Sequence, residues 1–383
     1  MRSQERVGFS LILVCFTLLA SGPATGQTPL PPAEEDFFES PLLQMQSFET
    51  PESTNEELEN LPPPLVRSIK TGGGGPGMGG ISGSPMGGMG SPAGGGRPVY
   101  AYSFFQPASG LGNQPGSLEA RGEGFAVGVP ISRSSNGIWI LSTRLEHDTF
   151  RTNATLPGTT MPFPDELWNI NLSLMHIHSF DNGWTFGGMV GAGSSSDRPF
   201  ASIREVNANL LTFLNIPASE RDAWNFSLFY SPLGQLRFPI PGVAYAWRPS
   251  DQFQMNIGIP FSLTYRPTET VSFNMSYLPL TNANATLRWT PNESWTLYGG
   301  YMTHSQGYEL ADRVDTRQRF FNFDQRLATG IQRSLGKGFY LDLSAAYLFD
   351  RSYFLGDSFF GSGAERLRVD PGAQVMLRLE WAR

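Results

Sequence analysis

The chain has 383 residues, a formal net charge of −7 and 13% aromatic residues. This length allows a sizeable core, and the acidic balance argues against a nucleic-acid partner. Cys15 is the only cysteine, so a mature chain without it would have no disulfide, no thiolate metal site and no cysteine nucleophile.

Residues 1–26 have the pattern of a signal peptide. Two arginines precede an apolar run from Val7 to Ala20, and the small residues around Ala24 suit cleavage before Gln27. The run is shorter than the roughly 20 residues that a membrane-spanning helix needs. We therefore expect export through a cleaved signal peptide, which would also remove Cys15.

The next two segments predict an N-terminal extension without a core. Residues 27–70 are rich in proline and acidic residues, and such a composition is typical of disorder. The hydrophobic residues between Phe37 and Phe48 are either a docking helix for a periplasmic partner or idle side chains. Residues 71–97 are mostly glycine, which predicts a flexible linker.

From residue 98 to 383, alternate residues are apolar in segment after segment. The final segment, for example, has Val375, Leu377, Leu379 and Trp381 at every second position. A period of two indicates β-strands with one apolar face. Lys70 and Lys337 are the only lysines, so the polar faces differ from the Lys/Glu mixture of soluble surfaces. The pattern predicts an all-β fold, an antiparallel up-and-down transmembrane β-barrel of about 12–14 strands.

Three turns repeat the order aromatic, any residue, proline, small polar residue and acid: WRPSDQF, YRPTETV and WTPNESW. Aromatic residues beside turns suit the interface between a membrane and water. The predicted interfacial aromatic residues are Trp168, Trp247, Tyr265, Trp289, Trp295 and Trp381.

Some stretches allow more than one interpretation. Residues 249–267 fit one long strand with Pro260 at a bulge, which we favour, or two strands too short to span. Residues 197–222 form either an ordinary packed loop or an amphipathic helix, because Val206, Leu210 and Leu214 have helical spacing. Residues 307–319 carry charges of both signs and predict a solvated loop.

Polar residues opposite the apolar faces are the best functional signal. Charged side chains at mid-depth are costly against lipid, by roughly 2–4 kcal/mol for basic ones, so these residues should face the lumen. The predicted lumen-facing residues are Arg288, Asn322, Asp324, Arg326, Asp342, Asp350, Arg378 and Glu380. They either line an aqueous path or pair with one another and fill the lumen.

Little in the chain indicates catalysis, a cofactor or a metal. His176 and His178 share one strand face and could chelate a metal, but that face is the aromatic one, which favours a place in the interfacial girdle. No GxSxG or HExxH motif is present. We expect no catalytic residue, no cofactor and no metal; a barrel-type lipid hydrolase is the minor alternative.

Residues 241–289 and 310–356, which contain the proline turns and the run FFNFDQRLATG, resemble a family of uncharacterised proteins predicted to form outer-membrane β-barrels in diderm bacteria. The resemblance extends over residues 98–383 and is strongest after Trp224. It implies a barrel in the outer membrane and lends no activity or ligand. One departure is that Ala382 and Arg383 follow Trp381, whereas such barrels commonly end on an aromatic residue that the assembly machinery reads.

The expected function is an outer-membrane barrel that either conducts small solutes passively or serves as a structural component. Its expected partners are outer-membrane lipids and the barrel-assembly machinery. The alternative from another class is a secreted soluble β-barrel or sandwich that binds an apolar ligand. That alternative requires the aromatic faces to point inward.

Overall fold

The computed structural model describes residues 99–278, 282–360 and 365–381. The predicted signal peptide (1–26), acidic segment (27–70) and linker (71–97) lie outside the described residues, as do Ala382 and Arg383. Within the three described ranges, no helix has the length and hydropathy needed to cross a membrane.

Seventeen β-strands follow one another along the chain. They are β1 (Val99–Gly110), β2 (Ser117–Ser134), β3 (Gly137–Thr152), β4 (Glu166–Ser179), β5 (Thr185–Ser196), β6 (Val206–Pro217), β7 (Ala223–Tyr230), β8 (Ile240–Ser250), β9 (Phe253–Gly258), β10 (Phe261–Tyr265), β11 (Val271–Leu278), β12 (Asn282–Asn292), β13 (Trp295–Tyr308), β14 (Arg319–Gly336), β15 (Phe339–Gly356), β16 (Leu367–Val369) and β17 (Gly372–Trp381). A short 3-10 turn, Ile203–Glu205, precedes β6.

The strands close into a barrel. Successive strands from β1 to β15 pair antiparallel, and β15 pairs with β17. β17 then pairs with β1, where Val99 lies opposite Trp381, and this pairing closes the sheet. β16 only adds a short pairing to the end of β15, so the wall contains the other sixteen of the seventeen strands. The predicted antiparallel up-and-down barrel is confirmed.

The predicted number of strands, 12–14, was too low, and one missed strand is β6. Neither a helix nor a packed loop occupies Val206–Pro217, which forms twelve residues of strand. Residues four apart share a face in both a helix and a strand. The spacing of Val206, Leu210 and Leu214 therefore suited a helix although the segment is a strand. The asparagines between them, Asn207 and Asn209, are buried on the opposite face.

The second missed strand lies in residues 249–267. These residues form β9 and β10, which pair with each other from Asn256 opposite Ser262 to Phe253 opposite Tyr265. The preferred interpretation of one long strand was therefore wrong. The chain reverses after Gly258, whose φ of 146° suits glycine. Because the connection between β9 and β10 has two residues, the apolar residues stay on odd positions on both sides of it. The sequence pattern therefore did not reveal that the chain reverses here.

The two ends of the barrel differ in the length of their connections. Val99 lies opposite Trp381 at one end, which we call the terminal end. The connections there are short, two residues at 135–136, 251–252, 293–294 and 337–338. At the other end, the loop end, they include residues 153–165, 197–205, 231–239 and 309–318. Outer-membrane barrels have this asymmetry, with the short turns in the periplasm.

The apolar residues of the strands point away from the barrel interior. Leu172, Val190, Leu327 and Leu343 are each at least half exposed, while the side chains between them on the same strands are largely buried. A continuous exposed apolar band is what a barrel presents to acyl chains. The alternative of a soluble barrel or sandwich with inward aromatic faces is therefore wrong.

Glycines on the inner wall make room for aromatic rings. Tyr298 of β13 lies opposite Gly330 of β14, and a Cβ on Gly330 would approach the Tyr298 hydroxyl to 2.4 Å. Phe104 covers Gly122 in the same way. Because the rings lie flat over neighbouring glycines, the wall carries large side chains without filling the lumen at those points.

We predict that Gly330→Ala destabilises the barrel by about 1–3 kcal/mol, because the added methyl group overpacks a buried ring. Gly299→Ala is the matched control, since a Cβ there would meet its nearest atom at an ordinary 3.6 Å. Urea unfolding followed by tryptophan fluorescence measures both. Equal urea midpoints of unfolding for the two variants would show that the close contact between Tyr298 and Gly330 does not affect the stability of the barrel.

Candidate functional site in the barrel lumen

Seven of the eight predicted lumen-facing residues lie on the inner wall. They occupy even positions of β12, β14, β15 and β17, opposite the exposed apolar residues: Arg288, Asn322, Asp324, Arg326, Asp342, Arg378 and Glu380. All are buried except Arg288, which is half-buried. The residues that alternate with them on the same strands are exposed on the outer face, so the burial of these side chains shows that they point inward.

Asp350 does not face the lumen. The pairing of β14 with β15 shifts between Phe323 and Gln325, which marks a bulge, and Asp350 has a φ of 49° there. Its exposed carboxylate accepts a hydrogen bond of 2.9 Å from Gln325 on the outer face. The bulge reverses the alternation of β15, so that the next residue, Arg351, is buried in the lumen. Strand parity alone does not reveal a bulge.

Four of the inward charged residues form two buried ion pairs. Arg326 forms an ion pair with Asp324, which also lies 3.2 Å from His304 Nδ1. Arg378 Nε lies 3.0 Å from Glu380 Oε1, and both side chains are almost fully buried. Each of these two pairs balances its own charge within the inner wall.

A second polar chain on β3, β4 and β5 was not singled out from the sequence. Glu146 is buried between Arg144, 3.9 Å away, and the Asn169 amide, which donates a hydrogen bond of 2.7 Å. Ser195 in turn donates to the Asn169 carbonyl at 2.9 Å. The sequence signal that could have found this chain is the polar residues Arg144 and Glu146, which alternate with outward residues in the run IWILSTRLEH.

An aromatic cluster fills the lumen toward the loop end. The connection 153–165 folds inward and places Phe163 edge-on to Phe320 and Tyr353, at ring distances of 5.5 and 5.1 Å. Phe150 of β3 packs edge-on against Phe163 and Tyr353 in the same cluster. This cluster joins β1, β2, β3, β14, β15 and β17 through the barrel interior.

The opposite part of the wall is rich in amides, and Arg288 of β12 is the charged residue already placed on it. The Asn215 amide donates to Asn225 at 2.7 Å, Asn225 donates to Asn256 at 3.5 Å, and Asn256 donates to Ser262 at 2.6 Å. We call the inward residues of β6 to β12 the amide wall. Many of its side chains are only half-buried: Asn225, Ser227, Ser262, Thr264, Ser272, Asn274, Ser276 and Asn284. The lumen is thus filled on one side and lined by solvent-accessible neutral groups on the other.

Two loops meet across the loop end. β5 and β13 are eight strands apart in a wall of sixteen, hence on opposite sides. The Glu309 amide, directly after β13, nevertheless donates a hydrogen bond of 2.8 Å to the Ser195 carbonyl of β5. Ala311 donates to the Asp197 carboxylate at 2.8 Å. We call residues 197–205 and 309–318 the lid, because together they cover this end of the lumen.

Arg313 holds the lid together, and its burial contradicts the prediction of a solvated loop at 307–319. Its guanidinium lies 3.4 Å from Glu205 and 3.8 Å from Glu309, and it donates to the Arg204 carbonyl at 2.5 Å. Burial raises the pKa of the Glu309 carboxyl, and Arg313 acts in the opposite direction. Charge in a loop sequence predicted solvation, but a buried arginine between two acids neutralises that charge.

The outer part of the same loop is solvated as predicted. Arg317 and Asp315 are exposed and pair with each other at 2.8 Å. Hydrogen bonds from the side chain and backbone of Arg317 lower the pKa of Asp315 to about 2. Because this pair is exposed and forms within the loop itself, Arg317 is a natural control for Arg313.

The predicted interfacial aromatic residues fall at both ends of the outer face. Trp247, Tyr265, Trp289, Trp295 and Trp381 lie at the terminal end, where the rings of Trp247, Phe253 and Tyr265 follow one another at 5.6 and 6.0 Å. Trp168 lies toward the loop end and stacks on His147 at 3.8 Å.

His176 and His178 lie near the terminal end, where His176 stacks on Trp139 at 4.2 Å. These aromatic contacts agree with a place in the girdle. Within the described ranges, no group of three or more metal-binding side chains occurs.

The closed sheet, the outward apolar band and the aromatic residues at its two edges define a transmembrane β-barrel protein. The chain belongs to the family DUF6268, described as a domain of unknown function, whose sequence profile matches residues 132–363. A comparison with curated protein sequences gave no match.

Several solved outer-membrane barrels are similar in structure at low identity. The COG4313 outer membrane channel from Pseudomonas putida F1 has 7% identity and a TM-score of 0.34, covering 75% of this chain and 96% of that chain. The β-domain of the Bordetella autotransporter BrkA has 10% identity and a TM-score of 0.27, covering 73% and 97%. OccK5 from Pseudomonas aeruginosa has 8% identity and a TM-score of 0.24, covering 74% and 97%.

We predict that Arg378→Met costs about 3–5 kcal/mol of stability, because it leaves the buried Glu380 carboxylate without its cation. Arg121→Met is the control: Arg121 forms a more exposed pair with Glu119 at 3.2 Å, and such pairs contribute less than about 1 kcal/mol. Urea unfolding in detergent micelles measures both. A loss for Arg378→Met as small as that for Arg121→Met would contradict pairing in the lumen.

Proposed function

We propose that the protein is an outer-membrane channel of a diderm bacterium that conducts small, uncharged, hydrophilic solutes along its amide wall. The observation that carries this proposal is the division of the lumen. The inward side chains of β14 and β17 are nearly all buried, whereas those of β10 and β11 are half-buried and neutral. Barrels of 16–18 strands leave room for an aqueous path.

The chemistry of the amide wall favours neutral solutes. Asparagine, serine and threonine offer both donors and acceptors without net charge. Hydroxylated solutes can exchange hydrogen bonds with such a wall, while ions gain little from its neutral side chains. The proposed role requires no catalytic residue and no cofactor.

The lid controls access at the loop end in this proposal. Several buried polar atoms of the lid and of β6 next to it have no hydrogen-bond partner within the described part of the chain: Asn207 Nδ2, Asn209 Oδ1, Glu309 Oε2 and Arg313 Nε. Each unpaired buried polar atom costs about 1–3 kcal/mol unless water reaches it. Opening the lid would hydrate these atoms, so the closed arrangement is only weakly favoured and can exchange with an open one.

The second candidate is a structural barrel that conducts nothing. Its supporting observation is the contact of opposite walls between Glu309 and Ser195, together with the aromatic cluster in the lumen. In both cases outer-membrane lipids contact the apolar band, and the barrel-assembly machinery inserts the barrel. A periplasmic partner of the N-terminal extension is compatible with either candidate.

Conductance of the purified full chain in a planar bilayer separates the two candidates. We predict open-channel events for the wild type and a several-fold higher open probability for Arg313→Gln, because glutamine removes the cation between Glu205 and Glu309. Arg317→Gln, in the same loop, should behave as the wild type. Silence of all three proteins at high protein load would contradict the channel and support the structural barrel.

A further inference from the structure

The strands β2 and β3 are long enough to rise above the apolar band at the loop end. They have 18 and 16 residues, whereas a transmembrane strand needs about 9–11 residues. Trp139 of β3 lies near the terminal end, and Arg151 lies near the other end of the same strand. At a rise of about 3.3 Å per residue and a tilt of about 40°, Arg151 is about 30 Å above Trp139, while the apolar band is about 25 Å tall. The outward side chains near Arg151 therefore lie at the level of the lipid heads of the leaflet at the loop end.

Two arginines on this part of the outer face share one carboxylate. Glu119 of β2 lies directly opposite Arg151, and Arg121 follows two residues later on the same face of β2. Arg121 Nη2 lies 3.2 Å from Glu119 Oε1, and Arg151 Nη1 lies 3.6 Å from the same oxygen. The side chains of the two arginines, which we call the basic pair, are 50% and 65% exposed. Because one carboxylate faces two guanidinium groups, this group of three residues has an excess of positive charge.

An exposed aromatic ring lies beside the basic pair. Phe105 of β1 is directly opposite Arg121, and the Arg121 guanidinium lies 5.2 Å from the centre of the Phe105 ring. Such a contact between a cation and a ring holds the guanidinium in place. Phe105 is also 40% exposed, so the outer face offers an apolar surface next to a cationic one.

Two further acids lie nearby, and both contact a histidine. His147 Nε2 lies 3.1 Å from Glu166, and His147 Nδ1 lies 3.9 Å from Glu123. The ring of His147 stacks on Trp168. Glu119 is thus the acid that contacts the basic pair, while Glu123 and Glu166 contact His147.

We propose that the basic pair binds the phosphate group of a lipid in the leaflet at the loop end. Guanidinium groups match phosphate oxygens in charge and in geometry. Both guanidinium groups contact one carboxylate oxygen, so they are close enough to contact one phosphate as well. The ligand is a lipid because the basic pair lies at the upper edge of the apolar band, where Phe105 contacts the acyl chain below the phosphate.

The experiment measures bound phosphatidic acid, a lipid whose head is a phosphomonoester, by native mass spectrometry of the full chain in detergent micelles. The test variant carries Arg121→Gln and Arg151→Gln. The matched control is Arg333→Gln, because Arg333 is also exposed on the outer face and stacks on an aromatic residue, Trp295, but lies at the terminal end. Heat-modifiable migration on gels verifies that each variant is folded.

We expect the double variant to retain at least five-fold less phosphatidic acid than the wild type, and Arg333→Gln to retain as much as the wild type. Glu119→Gln should retain at least two-fold more, because it removes the carboxylate that competes with the phosphate. Equal retention by the double variant and the wild type would overturn the site, as would a loss of lipid from Glu119→Gln.

Inorganic phosphate distinguishes the two sources of the phosphate group. At about hundred-fold excess over the lipid it should leave the bound phosphatidic acid in place, since free phosphate has no acyl chain to contact Phe105. Displacement of the lipid would overturn a lipid as the ligand. The measurement requires no solute flow, so its result is independent of the proposed channel.

Discussion

The backbone hydrogen bonds of the sheet are the constraint on which the rest of the structure depends. A bilayer offers no water to unpaired N–H and C=O groups, so a sheet can cross it only when its edges meet. Here the edges are β1 and β17, which pair from Val99 opposite Trp381 to Phe105 opposite Val375. Closure then assigns every second residue to lipid and the others to the lumen.

The closed wall encloses two kinds of interior. Between β13 and β3, buried ion pairs and an aromatic cluster hold the barrel as a packed core would. Along β6 to β12, the wall is rich in amides and partly open to solvent. The short strands β9 and β10 lie on this second side. The proposed solute path also belongs to it.

Periodicity in the sequence predicted the fold because burial and exposure alternate with a period of two along nearly every strand. It also placed residues such as Asp324 and Arg378 on the inner wall. It failed at the Asp350 bulge, where the local backbone breaks the period, and at Gly258, where the chain reverses without breaking it. It also missed the lid, because the contact of Arg313 with Glu205 joins loops more than 100 residues apart, which no local pattern encodes.

The most direct test of the account is the environment of two adjacent residues of β15. Leu343 is half exposed on the outer face, and Ser344 is buried on the inner face. Nitroxide labels at Leu343→Cys and Ser344→Cys, in protein reconstituted into vesicles, can be relaxed by oxygen from the lipid or by a water-soluble nickel complex. We predict strong relaxation by oxygen at 343 and weak relaxation at 344. Preferential relaxation of the 343 label by the nickel complex would show that water, not lipid, surrounds the apolar face.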